Sequence, residues 1–257
     1  MSALQDMEVA TTPEDFKVTN VYEVKEMPNP TLVIRAQSAD EEFDYLWSVL
    51  NLLPFYKEYG YTFEIPKHPE FKKLVEVADN LDAIDKGPIR KLFVEELYDP
   101  EFYKEGLAIL EKGRERIESV FPGMVELNAK WGFKLFPQYK LLLTGYGSGG
   151  MYHEDTGEIV MMTRKDGTFK RPNAIHTPVH EMVHIGVEQA IVKKFGLTHP
   201  EKERLVDLVT LKKFGHLLPG YEVQSIGDSR IEPYITDESL DDLPHAVVTY
   251  ITDFPRK

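Results

Sequence analysis

The sequence predicts an α+β fold in which N-terminal helices and a small antiparallel sheet lie over a central histidine-containing helix, followed by a short, mostly helical C-terminal lobe. Apolar residues recur with helical period through much of the first half of the chain. Residues 140–162 contain two short apolar runs separated by turn residues, and two segments after residue 176 carry helix start and stop signals. We therefore expect a mostly helical supporting region at 1–135 and a second region at 136–257, which could form one continuous two-lobed domain.

The N-terminal region is expected to be mainly structural. Residues 18–35 alternate as strands do, with proline breaks. Ser38 and Glu41 form a capping box before an amphipathic helix that Pro54 bends or ends. Three further helices are predicted at His68–Leu81, Ile89–Leu97 and Pro100–Phe121.

A change to strand periodicity follows. Lys140–Tyr146 is predicted to be a strand, and Glu158–Met162 is predicted to return beside it after a turn at Asp155-Thr156-Gly157. These two strands would make an antiparallel meander. The glycine-rich stretch Gly147–Tyr152 either lets another chain approach closely or forms a bend.

Two capped helices come next. Thr177 suits an N-cap with Pro178 at the first helical position, and Gly196 suits a C-terminal stop, which predicts a helix at 178–195. The string Thr198–Glu201 resembles a second capped start, with the helix continuing to Gly215.

The chemistry of this region is carried by the string HEMVH at 180–184. A helix places His180 and His184 one turn apart on one face, where both imidazoles can bind one metal ion, and Glu181 can reach a metal-bound water without ligating. If the next helix folds back, Glu203 completes a His-His-Glu triad with an open fourth position, as catalytic zinc requires, and Asp207 accepts the outer N–H of a ligating histidine. The alternative is that both histidines are hydrogen-bonded core residues.

These paired strings resemble the thermolysin-like zinc metallopeptidases, the gluzincins, whose pattern is HExxH followed on the next helix by ExxxD. The corresponding strings are HEMVH and ERLVD, with Glu203 lying 19 residues after His184, and the resemblance covers about residues 140–210. It implies that His180, His184 and Glu203 ligate zinc, that Glu181 is the general base, and that Asp207 orients a ligand.

Other assignments for the same stretch are weaker. The metzincin pattern needs a glycine and a histidine where Val187 and Ala190 stand, which excludes that family. His199 lies in the interhelical turn and is more simply a cap or surface residue than a third ligand. Glu188 and Glu201 are also weaker candidates for the third metal ligand than Glu203.

Zinc and one carboxylate predict peptide or amide hydrolysis, in which Glu181 takes a proton from water and delivers it to the leaving nitrogen. A further donor should stabilise the oxyanion. Of the candidates after Glu203 we favour Tyr221 and His245, although no spacing rule selects them. The full set is His216, Tyr221, Arg230, Tyr234, His245 and Tyr250.

The resembled family binds substrate backbone on the edge strand of its sheet, which implies a substrate-binding role for Gly149, Gly150 and Met151. The string GMYHE at 150–154 is loosely similar to the strand by which some gluzincin aminopeptidases hold a free amine, but two inserted residues depart from that pattern. A solvated hairpin tip is the simpler interpretation. The N-terminal helices could leave the cleft open to unfolded peptides or could cover it and restrict access to short peptides.

Composition limits the partners. A formal net charge of −13 disfavours nucleic acid, and no apolar run is long enough to cross a membrane. The absence of cysteine excludes thiolate ligands, and the first residues lack a signal peptide, so we expect a cytoplasmic location. A peptide or protein substrate is the expected partner, and no feature indicates an oligomeric state. Two other functions stay open: a non-catalytic zinc-stabilised binding or sensor module, and a zinc amidase acting on a non-peptide substrate.

Overall fold

A computed structural model describes residues 29–255, apart from the side chain of Asp79, and shows the predicted α+β class. The strands are β1 (Thr31–Ala36), β2 (Gln138–Thr144), β3 (Gly150–His153) and β4 (Glu158–Met162). The α-helices are α1 (Ala39–Asn51), α2 (Leu53–Glu58), α3 (Pro69–Glu76), α4 (Lys86–Leu92), α5 (Lys104–Lys112), α6 (Arg114–Glu118), α7 (Phe121–Trp131), α8 (His176–Val187), α9 (His199–Val209) and α10 (Leu243–Asp253).

The sheet is mixed, so the predicted antiparallel meander is wrong. The strand order is β1-β2-β4-β3, with β1 and β4 both parallel to β2 and only β3 antiparallel to its neighbour β4. The chain after β2 therefore enters the sheet at β3, turns, and inserts β4 between β3 and β2. The strand β1 belongs to the region predicted at 1–135, and β2 belongs to the region predicted at 136–257. The two predicted regions therefore share one sheet.

Alternate side chains of the sheet enter two apolar cores, as a period of two requires. Leu141 and Leu143 of β2 face the larger core, which contains α5 to α10, whereas Leu142 faces a second core formed with α1 and α3. Val160 of β4 joins the second core beside it. The sheet is thus covered by helices on both faces, and its edge strand β3 lies where the two sets of helices meet.

The helix that contains HEMVH begins at His176, two residues before the predicted start, so Thr177 is not its N-cap. A wider turn, Glu188–Lys193, continues it. Gly196 then adopts a left-handed φ of 59°, which a glycine accommodates at little cost, and confirms the predicted stop. The reversal places α9 against α8, and Glu201 accepts hydrogen bonds from the backbone N–H and hydroxyl of Thr198 as the predicted capping box.

The N-terminal predictions are confirmed in part. Ser38 and Glu41 form the capping box of α1. Most of the strands predicted at 18–35, and the prediction about a signal peptide, concern residues 1–28, which lie outside the described residues. None of the helices between residues 29 and 255 has the length and apolarity needed to cross a bilayer.

Candidate metal centre

Two histidines and a carboxylate converge between α8 and α9. The Nε2 atoms of His180 and His184 lie 3.1 Å apart. Glu203 places Oε1 3.5 Å from His184 Nε2 and Oε2 3.8 Å from His180 Nε2. All three side chains are buried, with 3%, 3% and 6% of their surfaces exposed. These are the three residues predicted as metal ligands.

The separations fit one small cation. Ligand atoms about 2.0–2.1 Å from a tetrahedral ion are separated by about 3.3 Å, close to the distances observed. The donor chemistry agrees, because two imidazole nitrogens and a carboxylate in van der Waals contact need a positive charge or a proton between them. Within residues 29–255, this is the group of histidine and acidic side chains that could hold a metal ion.

Asp207 and Tyr221 hold the imidazole of His180. Tyr221 Oη lies 2.7 Å from His180 Nδ1 and donates a 2.7 Å hydrogen bond to Asp207 Oδ1, while Nδ1 itself lies 3.3 Å from that oxygen. Because the Tyr221 hydroxyl hydrogen points to the carboxylate, Nδ1–H donates to Tyr221 Oη, and Nε2 is left to face the cluster. Asp207 lies where the sequence predicted it, with Tyr221 inserted beside it.

The second histidine is held differently. The Tyr152 ring stacks on His184, with centroids 4.9 Å apart and planes 10° from parallel. His184 Nδ1 is buried and has no hydrogen-bond partner among the described residues. Packing rather than a hydrogen bond therefore fixes this ring.

The charges of the cluster are coupled. Burial lowers the pKa of His180, but Asp207 and Glu203 outweigh it and raise the pKa to about 9. Burial raises the pKa of Glu203, but His184 and His180 outweigh it and hold the pKa well below its usual range. Without an ion, a proton on His180 supplies the positive charge that this site demands.

Glu181 lies beside the cluster and lines the cleft. Its carboxylate is close to β3: a Cβ atom added to Gly150 would lie 2.4 Å from Glu181 Oε1. Only glycine at position 150 lets the strand backbone approach this carboxylate so closely.

The edge of β3 is available for strand addition. Met162 N–H donates to Gly149 O over 2.7 Å, which makes these residues a hydrogen-bonded pair across β3 and β4. Since such pairs alternate, Gly150 and Tyr152 direct their N–H and C=O groups away from β4. Both residues line the cleft, together with Gly149 and Met151, so the predicted substrate strand lies at the site.

Part of the cleft lining comes from the N-terminal region, which the sequence had indicated only as a possible cover. Leu52, Phe55 and Tyr61 line the cleft, whose volume is ≈ 880 Å³. His199 contacts this part of the lining: Phe55 and Tyr59 pack edge-on against its ring, and its Nε2 lies 3.0 Å from Tyr61 Oη. His199 Nδ1 is 3.7 Å from Glu203 Oε1, so the ring borders the cluster without joining it.

Two proposed oxyanion donors are placed elsewhere. His245 is exposed on α10 and does not line the cleft. Tyr221 lies behind His180 with its hydroxyl bonded to Asp207, so it holds the His180 ring and does not line the cleft.

Gln224 was not predicted. Its backbone N–H donates to Asp207 Oδ2 over 2.7 Å, and its side-chain Nε2 lies 3.2 Å from His180 Nε2 and 3.4 Å from Glu203 Oε2. It follows α9 on a segment without regular structure, where no periodicity or spacing could have indicated it.

Comparisons of the chain with protein-family models, curated proteins and solved structures found no match. The function of the site is therefore inferred from the residues and distances given above.

Proposed function

We propose that this chain is a zinc-dependent metallopeptidase with a gluzincin-like site. The observation that carries the proposal is the convergence of His180, His184 and Glu203 next to Glu181 and the free edge of β3. Two imidazoles and one carboxylate form the donor set of a catalytic rather than a structural zinc site, because a structural site is usually closed by four protein ligands.

Each group has a distinct role in peptide hydrolysis. Zinc, when bound, lowers the pKa of water to about 7 and polarises a carbonyl group. Glu181 accepts the proton of the attacking water on its carboxylate and delivers it to the leaving nitrogen as the peptide C–N bond breaks. Gly150 and Tyr152 hold an extended peptide by main-chain hydrogen bonds, and Asp207 with Tyr221 keeps His180 oriented.

The cleft favours a short segment of extended chain. Its volume of ≈ 880 Å³ falls in the range of about 300–1,000 Å³ typical of small-ligand pockets. Aromatic side chains, among them Phe55 and Tyr61, line it together with residues of β3. We therefore favour short peptides over folded proteins as substrates.

A second candidate is a non-catalytic module in which zinc holds α8 and α9 together. Gln224 supports it, because its amide lies close enough to His180 and Glu203 to present its oxygen as a fourth ligand after a flip of the amide group. A site closed in this way would leave no position for water.

Metal analysis with a peptide-cleavage assay separates the two functions. We expect the purified protein to hold one zinc per chain and to cleave a fluorogenic peptide library. Glu181→Gln should keep the zinc and lose about 100-fold or more of the activity, since general acid–base catalysis contributes about 10²–10⁴-fold. Glu76→Gln, on the exposed surface of α3, is the matched control and should retain full activity.

The closed module predicts different results. In that case no peptide is cleaved, and Gln224→Ala weakens zinc binding because a ligand is lost. The peptidase proposal expects Gln224→Ala to lower zinc affinity by no more than the roughly 10–100-fold typical of an outer hydrogen-bonding partner, because the Gln224 amide donates to Glu203 without ligating the metal, and to leave peptide cleavage measurable.

A further inference from the structure

The two ends of the cleft differ in charge. Lys170 and Arg171 line it at the start of β3, near Ser148 and Gly149. Lys193 and Lys202 line it at the other end, near Tyr152. The chain as a whole has a net charge of −13, so the cations that line the cleft are opposite in sign to the net charge of the protein.

The cations near Tyr152 are neutralised within the protein. Lys193 forms an ion pair with Glu154, and Lys202 Nζ lies 3.9 Å from Glu188 Oε2 and donates to Tyr152 Oη over 3.2 Å. Beside them is a second cavity of ≈ 460 Å³ lined by acidic residues, among them Glu154 and Asp155. This end of the cleft would repel a carboxylate.

The cations at the start of β3 have no such partners. Lys170 Nζ donates to the backbone oxygen of Ser148 over 2.7 Å, and the guanidinium carbon of Arg171 lies 5.7 Å from the centroid of the Tyr221 ring. Neither cation forms an ion pair with a carboxylate among the described residues. Both charges are thus uncompensated where the cleft meets the metal centre.

Their positions are fixed by neighbouring groups. Pro172 restricts the backbone of Arg171 to extended conformations, and the stem of Lys170 packs on Gly149, where an added Cβ would lie 2.9 Å from Lys170 Cδ. Tyr221, over which Arg171 lies, also contacts the ligand His180. A guanidinium in such a place can bind a carboxylate through two parallel hydrogen bonds.

Building on the proposed peptidase function, we infer that Arg171, assisted by Lys170, selects peptides that carry a carboxylate on the side of the scissile bond lying at the Ser148 end of β3. An acidic side chain and a free C-terminal carboxylate offer the same chemistry. The inference concerns recognition and assigns Arg171 no part in bond cleavage.

The test uses eight-residue fluorescence-quenched peptides in which one Asp, or one Asn, occupies each position in turn, with the C-terminus free or amidated. We expect kcat/KM to be about tenfold or more higher for Asp than for Asn at one position on one side of the cleaved bond, since a hydrogen bond to a charged group contributes about that much. If the free C-terminus is the recognised group, amidation of the peptide lowers kcat/KM by about tenfold or more instead. Interior Asp and Asn then give equal rates.

Variants assign the preference to Arg171. Arg171→Gln should abolish it, and Arg171→Glu should transfer it to Lys at the same position, while zinc content stays at the wild-type value. Arg164→Gln, an exposed arginine on the same segment outside the cleft, should leave it unchanged. Equal rates for Asp and Asn together with equal rates for free and amidated C-termini, or a preference that survives in Arg171→Gln, would overturn the inference.

Binding separates this inference from the proposed function. Fluorescence anisotropy of the same labelled peptides with Glu181→Gln protein measures recognition without turnover. If wild type cleaves peptides but neither replacement of Asp by Asn nor amidation of the C-terminus weakens binding, only the inference fails. If no peptide is cleaved, the peptidase proposal fails. If the peptides with and without the carboxylate also bind equally, the proposed carboxylate-binding site at Arg171 is rejected as well.

Discussion

Two buried carboxylates in this protein have opposite surroundings. Glu42 on α1 has no exposed surface and accepts hydrogen bonds from the hydroxyls of Tyr103 and Thr144 and from Gly145 N–H. Glu203 on α9 is buried almost as fully but faces two imidazole nitrogens. Neutral donors bond both oxygens of the first carboxylate, whereas the oxygens of the second face imidazole nitrogens, between which a cation fits. Burial alone therefore does not mark a site; the donors around the buried group do.

The strongest test of this contrast removes the carboxylate of the metal centre. Glu203→Gln should abolish measurable zinc binding, a larger loss than the roughly 10–100-fold expected for an outer partner, because an anionic ligand becomes neutral. Zinc at 100 times the wild-type Kd should stabilise the native protein by about 2.7 kcal/mol and the variant by much less. Calorimetric titration and thermal unfolding with and without zinc measure both. Equal zinc affinity in wild type and variant would show that Glu203 is no ligand.

The matching change at the structural carboxylate should act on stability alone. Glu42→Leu leaves the hydroxyls of Tyr103 and Thr144 and the N–H of Gly145 without an acceptor, which should lower the free energy of unfolding by about 3 kcal/mol or more. Glu42→Gln retains an acceptor oxygen and should lose less. Urea unfolding measures the change, and zinc affinity should be unaltered in both variants. If the Glu42→Leu protein is folded but no longer binds zinc, Glu42 does not act on stability alone.

A smaller effect is expected at the residue that supports the metal ligand. Asp207→Asn removes the charge that Tyr221 and His180 share and should weaken zinc binding by about 10–100-fold. Competition with a zinc-binding dye gives the affinity, and Asp228→Asn, outside the cleft, serves as a control. If Asp207→Asn binds zinc as wild type does, the orientation of His180 does not depend on Asp207.

The weakest expected effect is a pH dependence at Glu42. Burial raises the pKa of Glu42 above its ordinary value of 4.5, more than the hydrogen bonds from Tyr103, Thr144 and Gly145 lower it. A carboxyl group whose pKa is raised by folding stabilises the fold below pH 4.5, and this contribution is lost as the pH rises through the folded-state pKa. The free energy of unfolding of wild type relative to Glu42→Gln should therefore fall as the pH rises above 4.5. Urea unfolding of both proteins in EDTA across this range tests it, and a flat or rising difference would contradict it.

Local signals in the sequence were sufficient for the candidate ligands and for the helices that hold them, but the single helix predicted at Pro100–Phe121 is divided into shorter helices, and α7 was not predicted. The spacing of His180 and His184 is a property of one helix, and Glu203 follows from the capped turn that reverses the chain after Gly196. The same local signals could not predict the strand order of the sheet. The strand β4 pairs directly with β2, in parallel, although β3 lies between them in the sequence. Strand order depends on contacts between distant residues, which periodicity does not record.

The rest of the cleft escaped prediction for the same reason. Phe55 and Tyr61 resemble core residues in the sequence and reach the site only through the packing of α1 and α2 against the sheet. Gln224 and Tyr221 lie on an irregular segment whose path is set by hydrogen bonds to Asp207. His245 was favoured although no spacing rule selected it, and α10, which begins at Leu243, turns that side chain to solvent.

We propose that α8 and α9 supply three ligands to one metal ion and leave its fourth position open. Anomalous diffraction at the zinc edge from zinc-soaked crystals tests it most directly. We expect one peak about 2.0–2.2 Å from the Nε2 atoms of His180 and His184 and from a Glu203 oxygen, with the fourth position facing the cleft beside Glu181. No peak there, or a peak whose fourth ligand is Gln224, would contradict the account.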